Sequence, residues 1–134
     1  IVGRSPTPEV LALASDSIIV TGTVPDVRPY LQHAYVVVAP LRIARGIQNK
    51  ILEAMAMEQA VVASSECAAA VNAKIGQELL TASTANDFVE QVSLLLDNRE
   101  QACTIGKAAR QRVVSDYSWE AHLRAIDRYI SVQP

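Results

Sequence analysis

Short runs of β-branched and small apolar residues alternate with helix-sized segments through the first two thirds of this chain. The runs are residues 1–2 (IV), 17–22 (SIIVTG), 35–40 (YVVVAP), 60–64 (AVVAS) and 78–83 (ELLTAS). All but the last are near-continuous Val, Ile and Ala, as expected of strands covered on both faces. Between them lie helical patterns at Pro8 to Ser15, Val27 to His33 and Gln48 to Met57, and a weaker one near Ala68 to Ile75. Strand and helix alternating through short connections predict βαβ units, hence a Rossmann-like parallel sheet flanked by helices.

Beyond Thr84 the pattern is helical only. Thr84 and Asp87 are spaced as a capping pair, and Phe88, Val92, Leu95 and Leu96 form a helical stripe behind them. Residues 99–117 put Ala102, Ile105, Ala109 and Val113 on one face. A last segment, N-capped by Ser118, aligns Trp119, Leu123, Ile126 and Ile130, a face expected to pack against the protein.

The 134 residues suffice for one domain with a core. A net charge of −2 argues against a nucleic-acid binder, which carries a basic face. No apolar run approaches the roughly 20 residues that span a bilayer, and the chain reads as cytoplasmic. Cys67 and Cys103, and His33 and His122, lack metal-ligand spacing, so free thiols and surface imidazoles are expected and no metal site. The chain opens on Ile-Val-Gly, as if within a strand, which suggests a piece of something longer.

In open parallel sheets ligands bind outside the carboxyl ends of the strands. The loops there are Gly3 to Pro8, Gly22 to Asp26, Pro40 to Gln48 and Ser64 to Ala70. The third is the most informative. Pro40 ends its strand because it has no N–H for the ladder. Gly46 can take a positive φ or admit a ligand close to the backbone. The helix that follows offers free N–H groups and a partial positive charge to a phosphate. Arg42, Arg45 and Lys50 add full charges, and Glu53 on the second turn could accept two hydrogen bonds from a ribose diol. Spacing alone equally permits Lys50 and Glu53 to be a surface pair worth a few tenths of a kcal/mol, and Gly22 to be a plain turn glycine.

Residues 22–64, with "NKILEAMA" ahead of "VVAS", resemble the donor-binding domain of GT-B glycosyltransferases, specifically retaining family 4, and "IGKAARQRVVSDYSW" resembles that family's helical end. The wording "RIARGIQNK" is similar to the branch associated with exopolysaccharide and PEP-CTERM export systems. The resemblance implies the C-terminal half of a GT-B fold, with residues 1–134 as one nucleotide-sugar-binding domain. It implies transfer of a sugar, of hexosyltransferase type, from a nucleoside-diphosphate sugar to an acceptor held by an N-terminal domain outside this chain. No cofactor or metal is implied, and peripheral membrane association of the full-length enzyme would be in keeping.

Carried over by position, Glu53 matches the motif's second glutamate, which binds the nucleotide ribose. Gly46, with Ile47 beside it, matches the glycine after the first glutamate, where the backbone faces diphosphate and sugar. Gly22, Thr23 and Val24 match the segment lining the nucleobase, and Gly3 and Arg4 lie at the site's edge. Two departures stand out. Arg45 occupies the first glutamate's position with reversed charge, removing the expected sugar contact, and Gln48 replaces the loop's second glycine. The family's Arg/Lys pair that neutralises the leaving diphosphate falls upstream of Ile1, so no catalytic residue is assigned, and the chain alone is expected to be inactive. The rival readings are a GT-B nucleotide-sugar epimerase, an NAD-binding Rossmann domain, against which the absence of Gly-x-Gly-x-x-Gly speaks, and a non-catalytic Rossmann-like interaction module.

Overall fold

A computed structural model describes residues 1–41, 46, 48–121, 123 and 130. They fall into two compact units, residues 1–33 and 34–134.

The first unit contains two short helices, α1 (Pro8–Leu11) and α2 (Arg28–Gln32). Each has proline in its first turn, where the missing N–H costs nothing. The strands expected at 1–2 and 17–22 do not form as extended ladders. What remains is a pair of bonds: Ile1 N–H donates to Ile19 C=O, and Thr21 N–H donates to Ile1 C=O at 3.0 Å. This is the bonding of a parallel bridge between Ile1 and Val20. Ser15 to Ile18 close a tight turn instead, which cuts the helix expected to reach Ser15 at Leu11.

The second unit holds the sheet. Strands β1 (Val37–Ala39), β2 (Val61–Ser64) and β3 (Leu80–Ala82) are parallel and lie in that order, with Ala39 opposite Ala63 and Ala63 opposite Thr81. Central β2 is buried at all four positions, as its apolar run requires, whereas edge strand β1 leaves Val38 exposed. Helix α3 (Asn49–Ala56) links β1 to β2, and α4 (Ser65–Ala69) follows β2. Helix α4 starts earlier than the weak 68–75 pattern predicts, because Ser64 accepts the Cys67 N–H and caps it.

Helices α5 (Ala85–Asp97) and α6 (Arg99–Tyr117) complete the unit. The predicted capping box at Thr84 and Asp87 is present in both directions. Hydrogen bonds from Thr84 and from the N–H groups of Ser83 and Thr84 hold the Asp87 carboxyl below its usual range. Leu95 is buried with Ala60, Val62, Leu80, Ala82 and Ile105, and Phe88, Val92 and Ala102 pack on that cluster. Leu96 is exposed instead, since two consecutive helical residues cannot both face a narrow seam.

Helix α6 approaches α3 closely. A Cβ on Gly106 would stand 2.0 Å from the Glu58 carbonyl oxygen, so only glycine permits this approach. Its far end is clamped to the lead-in of β3. Arg112 donates from Nε and Nη2 to the two carboxylate oxygens of buried Glu78 at 2.9 and 3.1 Å, and Nη1 reaches Asp116 at 2.8 Å. The Arg112 guanidinium and the Lys74 N–H, 2.7 Å away, hold the Glu78 carboxyl below the usual carboxylate range.

After Tyr117 the face expected to pack is not covered by the described residues of this chain. Ser118 does accept the Ala121 N–H at 3.2 Å, as an N-cap should. Trp119, however, is 82% exposed, and Leu123 and Ile130 are exposed too, while Ile126 lies outside the described residues. Helical spacing establishes that a face is apolar but not that anything in the same chain covers it.

Candidate functional site

The site is built from the turn after β1. Pro40 would stand opposite Ser64 if the β1–β2 ladder ran one residue further, but in this register its nitrogen points away from β2, so the missing N–H removes no bond to that strand. The chain leaves the sheet there. Gly46 adopts φ +65°, the left-handed region that favours glycine, and its carbonyl accepts the Gln48 side-chain amide at 3.1 Å. Helix α3 begins one residue later.

Helix α3 buries Ile51, Ala54 and Met55, the i, i+3, i+4 set of a single face. Full burial of Ile51 and Met55 contributes about 1.5–3 kcal/mol each relative to exposure. At 3.6 residues per turn, Glu53 sits about 200° round from Ile51. It is exposed, on the same side as Asn49 and flanked by Lys50, which are exposed as well. This answers why a carboxylate stands among Ile, Leu, Ala and Met: periodicity turns it away from the core. Among the described residues, Lys50 and Glu53 form no ion pair, so a surface pair does not account for them.

In a parallel βαβ unit the helix runs back against its strand. The first turns of α3 therefore lie at the carboxyl end of the sheet, where ligands bind. Three hydroxyls mark the same end. Ser64 is buried and donates to the Leu41 carbonyl at 2.6 Å, and Ser65 and Ser83 are 2.9 Å apart across the ends of β2 and β3. The Ser64 and Leu41 contact was not legible in the sequence.

The remaining candidates divide in two. Arg42, Arg45 and Ile47 lie outside the described residues. Gly3, Arg4, Gly22, Thr23 and Val24 belong to the first unit. Gly22 has φ +69°, and Thr21 Oγ1 donates to its carbonyl at 3.0 Å, so this turn does need its glycine. Gly3, Arg4 and Thr23 are exposed, and Gly22 and Val24 half-buried.

An open cleft of about 630 Å³ lies elsewhere, lined by Gly76, Gln77, Asn98, Gln101, Thr104 and Ile105 among others. Gly76 and Gln77 precede β3, which puts this cleft at the amino ends of the strands, away from the ligand end. Cys67 is buried and Cys103 exposed, both as free thiols. Among the described residues no helix is long and apolar enough to cross a membrane.

A three-stranded parallel sheet flanked by helices, with a glycine loop and a helix opening at its carboxyl end, is the architecture of a Rossmann-like half of a GT-B fold. Residues 1–98 match the sequence profile of the family described as glycosyl transferases group 1. The chain belongs to that family, whose activity is sugar transfer and which implies a nucleotide-sugar donor and an acceptor. The match takes in the Gly22 turn, the Gly46 turn and all of α3, and it stops at Asn98, the boundary between α5 and α6. No curated protein matches the chain.

Proposed function

We propose that residues 1–134 form the donor-binding domain of a retaining, family 4 glycosyltransferase of hexosyltransferase type, and that Glu53 binds the ribose of a nucleoside-diphosphate sugar. The observation that carries this reading is the exposure of Glu53 on the second turn of α3, after a left-handed Gly46 and a parallel strand. A carboxylate there accepts both hydroxyls of a vicinal diol. The α3 N-terminus and Lys50, with Arg42 and Arg45 from the same loop, supply positive charge for the diphosphate. By their match to the family's motif in sequence, Gly22, Thr23 and Val24 are assigned to the base and Gly3 and Arg4 to the site's edge. The acceptor belongs to a separate N-terminal domain, and the wording of residues 42–50 favours a cytoplasmic role in exopolysaccharide synthesis. Charge stabilisation by side chains and a helix end requires no metal or cofactor.

The test is calorimetric titration of the chain with UDP, GDP, ADP and dTDP. One of them should bind, and Glu53→Ala should weaken it by on the order of 2–3 kcal/mol, the loss of charge-assisted hydrogen bonds. The melting temperature should not move, because the side chain is exposed. Failure of all four to bind, or an affinity indifferent to Glu53→Ala, sinks the assignment.

A further inference from the structure

Among the described residues Ser64 is one of two buried polar side chains, and its hydroxyl makes two bonds of different kinds. As acceptor it takes the Cys67 N–H at 3.3 Å and caps α4. As donor it gives its proton to the Leu41 carbonyl at 2.6 Å. The first bond is local and expected of an N-cap serine. The second joins the end of β2 to a residue just past the end of β1, and capping does not require it.

The physical reason for the second bond lies in the end of β2. Ala39 pairs with Ala63, so the next rung would have joined residues 40 and 64. Continuing this register, the Leu41 carbonyl would accept the Glu66 N–H, but β2 ends at Ser64 and Glu66 belongs to α4, so the carbonyl loses its ladder partner. An unpaired, partly buried carbonyl is costly. Ser64 supplies the missing donor from a side chain. Its own position is fixed, because β2 is the central strand and Ser64 is paired with Ala82. The Cys67 thiol also points at the Leu41 carbonyl, at 3.5 Å, but a thiol is a weak donor and cannot replace the hydroxyl. Leu41 is the last residue of the described backbone before the segment that carries Gly46 and opens α3.

We propose that Ser64 is a positioning residue for the donor site, setting the departure of the segment between β1 and α3 through the Leu41 carbonyl. The proposal rests on the donor-site reading for its binding consequence, but not for its structural one. Ser64 touches no ligand in this scheme. It acts on Gly46 and on the opening turn of α3 by fixing where their chain leaves the sheet, as a support behind a binding residue must.

The two bonds separate by chemistry. Ser64→Thr keeps both donor and acceptor. Ser64→Asp keeps an acceptor for the Cys67 N–H and loses the donor to Leu41. Ser64→Ala loses both. Glu78→Gln serves as a control that destabilises the fold at the opposite end of the sheet. Two quantities are read in the full chain: amide hydrogen exchange at Ile51 and Leu52, whose N–H groups close the first turn of α3 on the Gln48 carbonyl, and the affinity for whichever of UDP, GDP, ADP and dTDP the wild type binds. Ser64→Ala and Ser64→Asp should each speed exchange at those amides about tenfold, the equivalent of 1.4 kcal/mol, and weaken nucleotide by a similar factor. Ser64→Thr should stay near wild type in both readings, and Glu78→Gln should alter neither.

Restoration by Ser64→Asp would reduce Ser64 to a helix cap and overturn the proposal. So would unchanged exchange in Ser64→Ala, or an equal response to Glu78→Gln. Faster exchange in Ser64→Ala, where the wild type binds none of the four nucleotides, would overturn the donor role and, with it, the donor-site reading. Unchanged exchange beside intact nucleotide binding overturns the role of Ser64 alone.

Discussion

The two ends of α3 are held by different means. At its C-terminus the Glu58 N–H bonds to the Met55 carbonyl at 3.1 Å and the Gln59 N–H to the Ala54 carbonyl at 3.0 Å, the paired bonds of a Schellman motif. The Ala56 carbonyl, otherwise an orphan of the last turn, accepts from the Arg110 guanidinium. Gly106 lets α6 lie against the same turn. At its N-terminus, by contrast, Gln48 provides no side-chain cap, and its amide turns back to Gly46. The C-terminal end is thus fixed by protein, while the N-terminal end faces the ligand side of the sheet. A binding helix is best anchored at the end that does no binding, since its open end can then meet a ligand without losing its orientation. The predictions below attack the anchored end and the open end in turn.

The largest effect is expected at Gly106. An exposed helical glycine replaced by alanine usually stabilises by about 1 kcal/mol. Here the new Cβ meets backbone, the Glu58 carbonyl, which cannot swing aside. Gly106→Ala should therefore destabilise by about 3 kcal/mol, as over-packing does, measured as a lower urea midpoint. The sign decides: any stabilisation would mean that α6 does not press on the end of α3.

Glu53→Ala, the 2–3 kcal/mol binding effect argued above, is the counterpart at the open end. It should weaken nucleotide without changing stability, whereas Gly106→Ala lowers stability first. A variant of either kind that moved both quantities equally would erase the contrast between the two ends.

Glu78 comes next, because α6 can brace α3 only if α6 is itself held. Glu78→Gln removes the charge from two hydrogen bonds with Arg112 and should cost about 2 kcal/mol. The same pair predicts a pH dependence. The folded-state carboxyl lies below its ordinary value of about 4.3. Its stabilisation is therefore fully present above that ordinary value and is lost as pH falls through the lower folded value. Urea midpoints for wild type and Glu78→Gln should converge as pH drops below about 4.3. A constant gap down to the acid transition would show that the charge contributes nothing.

Much of this framework is legible in sequence, and the reason is local. The runs at 35–40 and 60–64 contain β1 and β2, because buried parallel strands are apolar and β-branched, and the more mixed run at 78–83 contains β3. Thr84 and Asp87, three residues apart, announce the start of α5, and the limits of α6 follow from its own pattern. The outward turn of Glu53 follows from the period of Ile51, Ala54 and Met55. What escapes is what depends on a distant partner. Arg112 and Glu78 meet across 34 residues, Gly106 looks like any helical glycine until Glu58 is beside it, and Leu41 needs Ser64 only because β2 gives way to α4. The apolar spacing of Trp119, Leu123 and Ile130 shows the converse: periodicity is a property of one segment, and burial is a property of two.

The smallest predicted effect has the opposite sign and tests the anchored end most finely. Glu58 occupies the C′ position of the Schellman motif at φ +59°, a left-handed conformation that costs an L-residue roughly 1–2 kcal/mol and glycine almost nothing. The side chain gives little in return. Its carboxylate is 3.6 Å from Arg110 Nε, and both side chains are about half exposed, a pairing that is screened by water and contributes close to zero. Arg110 keeps its bond to the Ala56 carbonyl when the carboxylate is gone. Glycine also gains freedom in the unfolded chain, which subtracts part of the benefit. The balance should leave Glu58→Gly more stable than wild type by about 0.5–1 kcal/mol, read from the urea midpoint at neutral pH. Nucleotide affinity should stay where it was, because the change lies at the end of α3 away from the proposed donor site. A loss of stability would show that the Arg110 contact, rather than the backbone geometry, secures this end, and a change in affinity would show that the two ends of α3 are coupled.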